Sequence, residues 1–121
     1  MTEEQIRPIT PAETFAEAVD AAIVLKQRLI ENLSTDDGDY RAAFYKFYNR
    51  FMSLYYMTKS DVINGRTLNG LEDAEKRQEL INRLEQYDED VMTGKLDVAD
   101  ARTGISLLRQ YTDYLKYYNL V

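Results

Sequence analysis

Apolar residues recur along this chain at three- and four-residue steps, the period of helices that each turn one face inward. The first stripe is Phe15, Val19, Ala22, Ile23, Leu29, Ile30 and Leu33. Thr10-Pro11-Ala12-Glu13 stands just ahead of it. Thr10 suits an N-cap, Pro11 the first helical position, and Glu13 completes a capping box. The pattern predicts a first helix over about 11–33, preceded by an extended arm over 1–9, where Pro8 and Pro11 restrict the residues before them.

Ser34 to Asp39 is rich in turn formers, and a second helix is expected from near Asp39 to about Thr58. Tyr40, Phe44, Phe47, Phe51 and Leu54 form one stripe on it; Tyr45, Tyr48, Met52, Tyr55 and Tyr56 form another beside it. Eight aromatics fall between positions 40 and 56, more than one face can hold. This helix is therefore central to the fold or touches something outside it. Ser60 to Asn64 reads as a short further turn ended by Gly65, and Asn69-Gly70 as a second turn.

A third helix over about 71–93 has Ala74, Ile81, Leu84, Tyr87 and Val91 inward, and Gly94 is placed to end it. Asp97 is the expected N-cap of a fourth helix, whose inward residues Ala101, Ile105, Leu108, Tyr111, Leu115 and Tyr118 keep a regular period. The link between these two helices is short enough to make them antiparallel neighbours. The fold expected is all-α: an antiparallel bundle of about four helices with a short extended N-terminal arm, in a single domain spanning residues 1–121. Val91 to Ala101 resembles a helix–Gly–helix hairpin found in many small prokaryotic and phage proteins; the likeness implies no particular activity.

Composition narrows the chemistry. The 121 residues are 45% hydrophobic and 30% charged, an ordinary globular balance that argues against disorder throughout. Neither cysteine nor histidine occurs, which excludes disulfides, thiolate or imidazole metal ligands and the familiar nucleophile–histidine pairs within this chain. No phosphate-binding glycine loop and no HExxH motif occurs, so the expectation is a protein without catalytic residues, metal or cofactor. Asp36, Asp37 and Asp39 lack the spacing of a calcium loop. The first residues do not read as a signal peptide, and no apolar run is long enough to span a bilayer, so a cytoplasmic protein without membrane contact is the default.

The net charge of −6 is unevenly spread: −6 over residues 1–39, +4 over 40–71, −6 over 72–100 and +2 over 101–121. Asp88-Glu89-Asp90 sits near the end of the third helix, where acids oppose the helix dipole. Tyrosines are abundant, and the last helix carries Tyr111, Tyr114, Tyr117 and Tyr118. Tyrosine suits protein interfaces because it gives large contact area at low entropic cost. The first expectation is therefore a non-enzymatic regulator or inhibitor that binds another protein with a basic surface. It would act through Asp88, Glu89, Asp90, Tyr114 and Tyr117, in the manner of a nucleic-acid charge mimic. The alternative is nucleic-acid binding by the second helix through Arg41, Tyr45, Lys46, Tyr48 and Arg50. A third is a homo-oligomer that buries the second or fourth helix. The apolar tail Leu120-Val121 should dock either on the body or on a partner.

Overall fold

A computed structural model describes residues 9–31, 38–65, 71–94 and 98–121. The described residues form four helices and no strand: α1 (Pro11–Ile30), α2 (Gly38–Ile63), α3 (Leu71–Met92) and α4 (Val98–Tyr117). None is long and apolar enough to cross a membrane. The start of α1 is as the residues dictate. Thr10 Oγ1 accepts from the Glu13 backbone N–H, the Glu13 carboxylate accepts from the Thr10 N–H, and Pro11 opens the first turn.

The ends follow local chemistry too. Gly94 adopts φ 92°, a left-handed conformation that glycine takes without Cβ strain, and stops α3. At the end of α4 the left-handed residue is Asn119, φ 58°. Its N–H reaches the Lys116 carbonyl at 3.1 Å, and the Leu120 N–H reaches the Leu115 carbonyl at 2.8 Å, which is a Schellman closure. That closure folds Leu120 and Val121 back against the core, so the tail docks on the body.

Two elements differ from expectation. The further turn at Ser60 to Asn64 is not separate: α2 continues unbroken to Ile63, because Val62 is fully buried and holds the last turn onto the core. The expected arm, the loop after α1, the Asn69-Gly70 turn and the Asp97 cap fall wholly or mostly outside the described residues.

The core gathers side chains from all four helices. α2 lies at its centre, packed against each of the others. Tyr40, Phe44, Phe47, Phe51 and Leu54 are all fully buried, as their stripe predicts. α3 adds Leu80, Ile81, Leu84, Tyr87 and Val91; α4 adds Ala101, Leu107, Leu108, Tyr111 and Leu115. Gly104 has a specific task on α4. A Cβ there would stand 2.5 Å from the Tyr87 hydroxyl and 2.9 Å from the Phe47 ring. Glycine costs about 1 kcal/mol against alanine inside a helix, but only glycine leaves room for Tyr87 at this position.

α1 corrects the expected stripe. The residues it buries are Thr14, Ala18, Ala21, Ala22 and Leu25, a mostly small face that lets the helix settle closely on α2. Thr14 meets Met57 and Glu17 meets Arg50 across that seam. Phe15, Val19, Ile23, Leu29 and Ile30 of the expected stripe turn toward α4 instead, which α1 touches only lightly, and Leu33 lies outside the described residues. Ile23 is left 59% exposed and Ile30 73% exposed.

Candidate functional site

Three surfaces hold the residues that composition and charge single out. The first is the seam between α2 and α3. The Tyr48 hydroxyl donates to Asp88 Oδ1 at 2.5 Å, the Tyr56 hydroxyl donates to Asp88 Oδ2, and the Tyr55 hydroxyl donates to Glu85 Oε2 at 3.3 Å. Lys59 Nζ lies 5.6 Å and 5.0 Å from the Tyr55 and Tyr56 ring centres, within cation–π range. These contacts explain why an acid is tolerated near the C-terminal end of α3: hydroxyl donors from α2 supply what the helix dipole withholds.

The same contacts hold the phenols protonated. Burial and then the hydrogen bond to Asp88 raise Tyr48 well above the ordinary tyrosine range. Burial and then the Glu85 charge do the same to Tyr55. Tyr56 is pushed up to about 12, first by its hydrogen bond to Asp88. Deeper in, burial raises Tyr111 to about 12, and its hydroxyl lies 2.7 Å from Thr58 Oγ1. Burial also raises Tyr87, whose hydroxyl has no hydrogen-bond partner among the described residues. The phenols held on Asp88 and Glu85 serve as donors and packing surface.

The residues proposed for an acidic surface are therefore divided. Asp88 is engaged by two tyrosines. Asp90 is half-buried and accepts from Gln86 Nε2 at 3.0 Å, while Glu89 is exposed. Tyr114 and Tyr117 do not join them. They line the second surface, a cleft of about 550 Å³ between α3 and α4 whose walls include Lys76, Glu79, Arg83 and Asp113. Its charges alternate in sign, and Arg83 bridges it by donating to Gln110 at 2.8 Å. Tyr114 is half-buried; Tyr117 is exposed, with its ring edge-on to Tyr118 at 4.9 Å.

The residues proposed for nucleic-acid binding are likewise split. Arg41 and Lys46 are exposed and Tyr45 is 37% exposed. Arg50 pairs with Glu17 at 3.2 Å, and Tyr48 is half-buried with its hydroxyl on Asp88. A stacking platform needs ring faces open to solvent. In this stretch Tyr45 and Tyr56 keep exposure, while Tyr55 is fully buried.

The third surface is the trough between α1 and α4. Phe15, Val19, Ile23, Ile105 and Leu108 line its larger hollow, of about 370 Å³. Leu29 and Ile30 line a further one of about 360 Å³, and both hollows share Lys26. Arg109 and Lys116 stand at the first and Arg102 at the second. None of these four cations forms an ion pair among the described residues. Arg102, Arg109 and Lys116 are spaced by seven residues, which places them along one side of α4. That spacing is the signal in the amino-acid sequence that could have found this surface. The apolar stripe of α1 is its other half.

No group of carboxylates among the described residues is arranged to hold a metal ion. No protein-family model, curated protein or solved structure matches this chain.

Proposed function

We propose that this chain is a non-enzymatic protein-binding module: one domain, built as an antiparallel bundle, that acts by contact through its α1–α4 face. The antiparallel arrangement is supported by partner numbers that fall as residue numbers rise. Thr14 meets Met57 and Glu17 meets Arg50; Arg77 meets Tyr118 and Arg83 meets Gln110. The single-domain reading is supported by a core cluster drawn from all four helices.

One observation carries the functional reading. α1 has two apolar faces: the fold buries the one of mostly small residues and only partly covers the other, where Phe15, Val19 and Leu29 are half-buried. The face with the larger side chains opens onto the trough, with Ile23 59% and Ile30 73% exposed. Exposed aliphatic residues that continue into a hollow mark an interaction site more often than scattered single ones do. The Asp88-Glu89-Asp90 surface is the weaker choice, because Asp88 and Asp90 already spend hydrogen bonds within the molecule.

Site-specific crosslinking tests the reading. A photoreactive side chain at position 23 of the full chain, expressed in its cell of origin, should give a discrete protein adduct. The same group at Ser53, exposed on α2, should give none. Equal adducts from both positions, or none from position 23, would contradict it.

A further inference from the structure

We infer that the α1–α4 trough receives an acidic amphipathic helix of a partner protein. The inference rests on the protein-binding reading above and adds the chemistry of the partner. From Phe15 to Ile30 the trough runs about 22 Å, the length of about four helical turns. An apolar floor of that length between two helices suits a third helix laid along it, anchored at every third or fourth residue. Charge then selects the occupant. In a chain of net charge −6, Lys26, Arg102, Arg109 and Lys116 gather at this one trough, with Asp113 the single acid lining it among the described residues. The seven-residue spacing on α4 repeats every second turn, so glutamates at the same spacing on a partner helix would meet each cation in turn.

The same observations disfavour other occupants. A second copy packed trough to trough would bring together two faces of the same positive charge. Nucleic acid would want open ring faces, whereas the exposed apolar side chains here are isoleucines and the ring of Phe15 is half-buried. A membrane surface is flat, whereas these side chains line a hollow, and the exposed acids Asp20 and Glu31 lie on the outer side of α1.

The test uses two labelled helical peptides of about four turns with one leucine pattern, flanked by glutamate in the first and by lysine in the second, titrated by fluorescence anisotropy. The glutamate peptide should bind at least about tenfold more tightly than the lysine peptide. Lys26→Glu with Arg109→Glu should reverse that preference, and Ile23→Ser with Ile30→Ser should weaken both peptides. Circular dichroism of each variant confirms that it stays folded. Equal binding of both peptides, lost with the isoleucine substitutions, would overturn the acidic partner and keep the apolar face. Absence of binding, or binding indifferent to all four substitutions, would overturn both. Charge-dependent binding to phosphatidylserine vesicles or to RNA, or a dimer dissolved by the charge reversal, would assign the trough elsewhere and overturn the inference.

Discussion

The α2–α3 seam and the α1–α4 trough are built from opposite materials. The seam is polar at its edge and closed: three tyrosine hydroxyls from α2 each find a carboxylate on α3. The trough is mostly aliphatic and open, with four cations beside it that form no ion pair among the described residues. Closure by matched donors and acceptors serves the fold, since each hydroxyl that finds an acceptor avoids the cost of burial without a partner. Apolar area left uncovered beside unpaired charge adds little to the folded state, and this contrast supports the proposed contact through the trough.

The contrast can be broken first within α1. Leu25→Ala, on the closed face, should cost about 2–5 kcal/mol in urea unfolding, whereas Ile23→Ser, on the open one, should stay within about 0.5 kcal/mol. Comparable losses from both would mean that α1 has no open face. Next comes Gly104→Ala. Helix propensity alone favours it, but the crowding with Tyr87 and Phe47 should make it destabilising by about 1–3 kcal/mol in the same measurement.

Smaller effects separate paired from unpaired hydroxyls. Tyr48→Phe should lose about 1–2 kcal/mol, because Asp88 gives up a donor. Tyr87→Phe should be neutral or stabilising within about 1 kcal/mol, because its hydroxyl has no partner to lose among the described residues. If the two variants behave alike, the seam is not held by its hydrogen bonds.

The alkaline limb gives the smallest signal. Tyr56 rises from the ordinary 10.0 to about 12 in the folded chain. Its contribution is therefore complete below about pH 10 and is lost as pH climbs toward about 12. The other raised phenols act in the same direction. The urea midpoint should hold steady up to about pH 10 and then fall, and Tyr56→Phe should make that fall shallower. A midpoint that rises over this range would contradict the cause assigned to the shifts.

Much of the fold could be read from the residues alone. The Thr10–Glu13 box, the Gly94 stop and the first stripe of α2 are where pattern and capping chemistry put them. On α3 and α4 most of the stripe is buried, but Ala74, Ile105 and Tyr118 are half-buried, and Leu80 and Leu107 join the core from outside the expected stripes. α1 departs from its pattern for a physical reason. Of the expected stripe only Ala22 is buried; hydrophobic pattern weighs large side chains, whereas close packing of α1 on α2 also favours Ala18 and Ala21, whose small size leaves a weak signal. The candidate site was half legible. The apolar stripe of α1 and the heptad spacing of Arg102, Arg109 and Lys116 are both present in the chain, but nothing in one dimension says that they face each other. The acid at position 88 shows the same limit. Its conflict with the helix dipole is visible in the residues, but the tyrosines that resolve it lie 32 and 40 positions away.

The most direct test of an open α1 face is nuclear magnetic resonance of assigned isoleucine methyl groups in the free chain with a soluble paramagnetic agent. Ile23 and Ile30 should broaden strongly while Ile81, in the core, is spared. Protection of Ile23 and Ile30 to the level of Ile81 would mean that the chain covers this face itself, and the trough would lose its claim to a partner.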